Sequence, residues 1–188
     1  MNQRLVVGIS GASGVILGVR LLEVLCQNPQ IETHLILSSA AERTLALEGG
    51  PNPEAVKALA NFTYDPTDLA AGPSSGSFLT MGMVVLPCSI KSLSAIAHSY
   101  ADNLLARAAD VTLKEHRPLV LCPRETPLHL GHLRLLTQVA EAGAMICPPI
   151  PAYYHGPTEI AHLIDQSVGK VLDLLKIEHN LFTRWGTP

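Results

Sequence analysis

Short runs that are apolar at nearly every position alternate along this chain with amphipathic helical stretches, and that alternation restricts the fold more than any other feature. Leu5–Ile9, Thr33–Leu37, Met83–Leu86, Leu119–Cys122 and Ala144–Cys147 read as strands. Val15–Cys26, Ala40–Leu47, Lys91–Ala97, Asn103–Glu115 and Leu128–Ala142 read as helices, as does a closing stretch, Thr158–Leu175, with Thr158 as its cap behind Pro157. A strand with one wet face would alternate apolar and polar residues. These runs do not, so both faces must be covered, which calls for a parallel sheet with helices on each side. In such a sheet ligands bind beyond the carboxyl ends of the strands, and the polar clusters of this chain fall at those ends. Between Gly49 and Gly82 the sequence turns rich in Pro, Gly and Ser, with room for one short helix at Pro53–Asn61.

Composition narrows the class. Hydrophobic residues make up 47% of 188 residues and charged ones 15%, with 13 Lys and Arg against 16 Asp and Glu, a net charge of −3. A disordered chain would be poorer in aliphatic residues, a nucleic-acid binder would carry a basic excess, and a coiled coil would hold more Glu and Lys. One core of this size cannot hide so large an apolar fraction, so part of the surface is expected to meet other copies. The segment LVVGISGASGVILGV after Arg4 imitates a secretory signal, but Gly8, Ser10, Gly11, Ser13 and Gly14 interrupt it. No other stretch approaches the roughly 18 apolar residues of a membrane span. Cys26, Cys88, Cys122 and Cys147 lie far apart without a C-x-x-C pair, which suits a reducing cytoplasm better than zinc or a disulfide framework.

Several motifs carry candidate chemistry. Gly8-Ile-Ser-Gly-Ala-Ser-Gly14 joins the first strand to the first helix, either as a phosphate cradle with Ser10 and Ser13 as hydroxyl donors or simply as a tight turn. Strand two ends in Ile36-Leu37-Ser38-Ser39 without the acidic residue that holds an adenosine ribose, so a mononucleotide such as FMN fits better than NAD. Pro87-Cys-Ser-Ile-Lys-Ser-Leu-Ser94 offers Ser89, Ser92 and Lys91 at a helix start, as an anion-binding edge or a plain cap, with Cys88 as a small buried hydrophobe. Arg107, Lys114, Arg124 and Glu125 form the most suggestive group, with a surface salt bridge as the alternative. His129-x-x-His132 has metal-like spacing but lacks a third ligand. The single Trp, in Arg184-Trp185, reads either as an anchor for the tail or as a π surface beside a cation.

Taken in order, Gly11-Ala-Ser-Gly14, Ser75-Gly-Ser77, Pro87-Cys-Ser89, Arg107-Ala-Ala-Asp110, Leu113-Lys-Glu115, Leu119-Val-Leu-Cys-Pro-Arg-Glu125, Pro151-Ala-Tyr-Tyr154 and Arg184-Trp185 resemble the UbiX/Pad-type flavin prenyltransferases over nearly the whole chain. The resemblance implies an α/β, Rossmann-like three-layer sandwich with a mostly parallel sheet. It implies a single domain over residues 1–188 with a tail from about residue 176. It implies transfer of a dimethylallyl group from dimethylallyl phosphate or pyrophosphate to N5 and C6 of reduced FMN. The prenylated FMN then goes to a UbiD-type decarboxylase.

The roles that follow from the resemblance are specific. Gly11, Ala12, Ser13, Ser38, Ser89, Ser92 and Arg124 would bind FMN, and Arg107, Lys114, Arg124, Tyr154 and Lys170 would surround one phosphate. Glu125 would be the acid/base group, assisted by Ser13, Glu48 and Lys114, and Trp185 would form an aromatic wall; no metal is implied. Family members form dodecamers with flavin sites between subunits. Two positions depart from the pattern. Lys170 stands where an Arg is usual, keeping the charge but not the two-pronged fork, and Arg134 reverses a charge in His129-Leu-Gly-His-Leu-Arg134. The related flavin-dependent cysteine decarboxylases carry a Pro-Ala-Ser-Ala-Asn-type segment, which Pro87-Cys-Ser-Ile-Lys-Ser replaces here. A flavin carrier without activity is the remaining alternative, supported by Lys170 alone.

Overall fold

A computed structural model describes residues Gln3–Gly186. Six parallel strands form one sheet: β1 (Gln3–Ile9), β2 (Ile31–Leu37), β3 (Phe62–Tyr64), β4 (Gly82–Cys88), β5 (Leu119–Pro123) and β6 (Met145–Ile146). The helices are α1 (Val15–Leu25), α2 (Ser39–Leu47), α3 (Pro53–Lys57), α4 (Ile90–Ala97), α5 (Leu104–Lys114), α6 (Leu130–Glu141) and α7 (Ile160–Leu174). Strand residues alternate between two buried clusters. Leu5, Val7 and Ile9 face α1, α2 and α7, while Val6, Met83 and Val85 face α4 and α5. Burial on both sides explains why the runs carry no polar period.

The strand order is β3-β2-β1-β4-β5-β6. The chain winds outward from β1 through β2 to β3, then crosses back to β4 and winds the other way. The direction therefore reverses between β1 and β4, and a crevice opens there beyond the carboxyl ends.

Two sequence expectations change. β3 falls inside the stretch read as loop. It has three residues, too few for a periodic pattern, and tertiary contacts fix it. Phe62 stacks on the His34 ring with centroids 5.0 Å apart, and the Tyr64 hydroxyl donates to His34 Nδ1 at 2.9 Å. The closing helix starts at Ile160 with Glu159 in the cap position, making no side-chain bond. Thr158 is not the cap; its own N–H donates to His162 Nδ1 at 3.3 Å.

His34 is 2% exposed. Because Nδ1 accepts from Tyr64, the proton sits on Nε2, which donates to Glu32 Oε1 at 2.9 Å. Burial holds its pKa below the ordinary value of 6.5, against the pull of Glu32. A depressed value means that the unfolded chain binds the proton more readily. The neutral ring's contribution is thus complete above 6.5 and is lost as pH falls below it. Denaturant midpoints measured on either side of that pH should fall toward acid in the parent protein, and His34→Gln should remove that part of the slope.

Candidate active site

The crevice is assembled from helix starts. Ser38 caps α2, its hydroxyl accepting from the Ala41 N–H at 3.1 Å; Ser89 caps α4 by accepting from the Ser92 N–H at 3.3 Å; Asn103 caps α5 by accepting from the Ala106 N–H at 3.0 Å. All three positive helix ends line one cavity of ≈ 170 Å³ together with Ser10, Gly11 and Lys91. Its chemistry suits a phosphomonoester: hydroxyls, helix N-termini and one cation, with no carboxylate on the wall.

Ser10 holds the cavity floor together. Its buried hydroxyl donates to the Pro87 carbonyl at 2.8 Å and accepts from the Ser89 N–H at 2.7 Å, tying the loop after β1 to the loop after β4. Gly11 lets that loop lie against α2, since a Cβ there would stand 2.5 Å from the Ala40 Cβ and 2.9 Å from its carbonyl carbon. The start of α1 is already occupied. Glu48 accepts from the Gly14 N–H at 2.9 Å and from the Val15 N–H at 3.2 Å. The Gly14 and Val15 amides at the start of α1 are thus bonded within the chain, while the loop after β1 reaches the cavity through Ser10 and Gly11 beside the starts of α2, α4 and α5. Ser13 is exposed beside Glu48's perch, and Ala12 is nearly buried.

A second cleft, ≈ 290 Å³, opens beyond β5 and β6, walled by Pro123–Thr126 and Pro148–Pro151. Arg124 and Glu125 are exposed here; the Arg124 N–H donates to the Cys88 carbonyl at 3.2 Å, and Glu125 Oε1 accepts from the Thr126 N–H at 3.0 Å. Lys170 is exposed on α7, close enough for its charge to act on Cys147, the residue that follows β6. The Cys147 thiol is drawn down to about 7, first by a hydrogen bond from Cys122 and then by Lys170, against the effect of burial. Cys88, fully buried, is pushed up to about 12 by desolvation, as an inert core thiol would be. Tyr154 meets Trp185 edge-on, with ring centroids 5.6 Å apart and planes at 90°.

Arg107 and Lys114 line neither cleft. Arg107 pairs with Asp110 at 2.9 Å and donates to the Ser74 carbonyl at 3.1 Å, while Lys114 pairs with Glu115 beside Gly76. α5 begins at the cavity with Asn103 and runs toward the opposite edge of the sheet. Its 11 residues carry Lys114 roughly 16 Å away. The four cations expected around one phosphate thus separate into Arg124 and Lys170 at the strand ends, and Arg107 and Lys114 with the serine loop at residues 72–78. His129 of the H-x-x-H pair serves as the α6 cap, its Nδ1 accepting from the Gly131 N–H at 2.9 Å. Trp185 is 81% exposed, so it anchors nothing. Asn103 and Thr67 also line the cavity and were not singled out from the sequence. Asn103 was legible as an Asn directly before a helical run, whereas Thr67 depends on the fold.

The Flavoprotein family profile matches residues 1–183. The flavin prenyltransferase UbiX of Escherichia coli (strain K12) is 61% identical over 185 residues, covering 97% of this chain and 98% of that protein. The chain belongs to the UbiX flavin prenyltransferases. Solved structures agree. AnUbiX (PadA1) in complex with FMN and dimethylallyl pyrophosphate superposes with a TM-score of 0.97 at 46% identity, covering 100% of this chain and 99% of that one. A dodecameric FMN-dependent UbiX-like decarboxylase from Escherichia coli O157:H7 gives 0.96 at 45% identity, covering 98% of this chain and 100% of that one. For a UbiX-type chain, the cavity under Ser38, Ser89 and Ser92 has the donors that a flavin phosphate requires.

Ser10 gives a direct check of the cavity floor. Ser10→Ala leaves the Ser89 N–H without its partner, and stability should fall by about 1–3 kcal/mol. FMN affinity should weaken at the same time, as read by thermal unfolding and flavin titration.

Proposed function

We propose that this chain is a metal-independent flavin prenyltransferase. It joins a dimethylallyl group from dimethylallyl phosphate or pyrophosphate to N5 and C6 of reduced FMN, and it supplies prenylated FMN to a UbiD-type decarboxylase. The observation that carries the reading is the adjacency of two different clefts at the strand ends. One is lined by hydroxyls and helix N-termini; the other presents Arg124 and Glu125. The 61% identity to a named flavin prenyltransferase supports it over nearly the full length of both chains.

In this reading Ser38, Ser89 and Ser92 hold the flavin phosphate, and Gly11, Ala12, Ser13 and Arg124 lie along the rest of the cofactor. When bound, reduced FMN supplies the nucleophilic centres. Arg124, Lys170 and Tyr154 neutralise the oxygens of the leaving phosphate, the charge that grows as the allylic C–O bond breaks. Trp185 offers a π face to the allylic cation and shields it from water. Glu125 carries protons between phosphate and flavin. Glu48, oriented by the Gly14 and Val15 amides, assists beside Ser13.

Arg107 and Lys114 join this chemistry from a neighbouring copy. Within one chain they line neither cleft: Arg107, on the first turn of α5, pairs with Asp110 and the Ser74 carbonyl, and Lys114, on the last turn, pairs with Glu115, so both lie against the loop at residues 72–78. Ile150 on the wall of the second cleft, Leu128, and Leu130 and Leu133 on α6 are large apolar side chains left exposed, as a subunit contact would require. A homo-oligomer with shared sites, a dodecamer as in the UbiX-like structure, meets both requirements. The chain acts as one domain over residues 1–188, with its tail contributing Trp185. A reducing cytoplasm suits four cysteines that all remain thiols, Cys122 and Cys147 hydrogen-bonded among them. Among the described residues, no helix is long and apolar enough to cross a membrane.

Glu125→Gln should retain FMN and lose turnover on the order of 10²–10⁴-fold; unchanged turnover would remove Glu125 from the mechanism. Mixing Glu125→Gln with Lys114→Ala subunits tests the shared site. Hybrid oligomers contain sites with both native residues and should recover activity that neither variant has alone. No recovery would place Lys114 in its own chain's site or outside catalysis.

A further inference from the structure

The segment after α7 is fastened by a group of side chains that the reaction does not itself use. Asp173, on the last turn of α7, receives both prongs of Arg184: Oδ1 accepts from one guanidinium nitrogen at 2.7 Å and Oδ2 from the other at 3.0 Å. The same carboxylate is reached by His179 Nε2 at 3.2 Å. Because His179 Nδ1 accepts from the Leu181 N–H at 3.2 Å, the proton sits on Nε2 and His179 donates to Asp173.

Gly169 makes room for the docking. A Cβ there would come within 2.5 Å of the Phe182 ring and 2.6 Å of the His179 ring. The Arg184 guanidinium in turn lies over Phe182, 5.5 Å from its centroid. The contacts that hold this tail therefore belong to the inaccessible His179 ring, the half-buried Phe182 and the exposed but two-pronged Arg184. Trp185 comes next in the chain and is 81% exposed. It buries too little surface to fix itself, yet it stands perpendicular to Tyr154 at 5.6 Å. Its place is dictated by the residue before it, and that residue is held by Asp173.

We propose that Asp173 is a positioning residue for prenyl transfer, acting through Arg184 to set Trp185 edge-on against Tyr154, three residues beyond the Pro151 wall of the second cleft. This rests on the prenyltransferase reading of Trp185 and Tyr154. Losing the carboxylate frees the tail and lets the aromatic wall drift while leaving the flavin cavity intact, since no residue of the clasp lines that cavity.

The test uses the FMN-loaded oligomer with Asp173→Asn, Trp185→Ala and the double variant. Trp185 is the chain's single Trp, so its fluorescence anisotropy reports the clasp without reference to activity. Asp173→Asn should lower that anisotropy and reduce kcat with dimethylallyl phosphate on the order of 10–100-fold, with FMN affinity unchanged. Arg184→Lys, which keeps the charge but loses the fork, should fall between. In the Trp185→Ala background, Asp173→Asn should cost little more, because both act through one ring. Fully additive losses, or parental kcat and anisotropy in Asp173→Asn, would overturn the proposal. Parental turnover in Trp185→Ala would instead remove Trp185 from the chemistry. That outcome overturns the catalytic part of the proposal together with the reading of Trp185, while the anisotropy shift separately identifies the clasp.

Discussion

The hydrogen bonds of one buried serine hold the working edge of this protein together. Ser10 follows β1 and reaches the loop after β4, donating to Pro87 and accepting from Ser89. β1 and β4 are the strands between which the winding of the sheet reverses. At such a point neighbouring loops diverge and leave a crevice. Ser10 prevents the two loops from separating completely, so the starts of α2, α4 and α5 converge on one cavity of ≈ 170 Å³. The second cleft depends on the same tie, because Arg124 is attached through its N–H to the Cys88 carbonyl, next to Ser89.

Charge is scarce in this chain, and its distribution separates binding from chemistry. Fixed hydroxyls and helix ends suit the permanent phosphate of a flavin, which must be held through turnover. Exposed cations such as Arg124 and Lys170 suit a phosphate that must leave. Arg124 and Lys170 stand near the strand ends, whereas Arg107 and Lys114 pair beside the loop at residues 72–78 of the same chain. A site shared between copies, as proposed above, would bring cations of two surfaces together only on assembly, and the exposed leucines of α6 offer apolar contact for it. An apolar excess and a scattered set of cations thus have one explanation.

The sheet was legible because its strands are apolar on both faces, a pattern that amphipathic surface strands do not share. Ser38, Ser89 and Asn103 stood in sequence where helix caps stand. β3 was not legible: three residues hold no period, and what fixes them is His34, a residue of another strand. What occupies the start of α1 was hidden for a similar reason. A glycine-rich turn before a helix announces an anion site, but nothing local to it tells that Glu48, 34 residues after Gly14, supplies the anion. Trp185 illustrates the limit most clearly. A lone Trp suggests an anchor, yet the anchoring belongs to the less conspicuous His179, Phe182 and Arg184. Resemblance brought Arg107 and Lys114 to the phosphate, and no single chain can display the geometry that would unite them with Arg124.

If these clefts prenylate a flavin, mass spectrometry of the flavin extracted after anaerobic incubation of the purified oligomer with reduced FMN and dimethylallyl phosphate will show it. The extracted flavin should be heavier by one five-carbon prenyl unit, formed without added metal. Recovery of unmodified FMN alone, from protein shown to be assembled and flavin-bound, would contradict it.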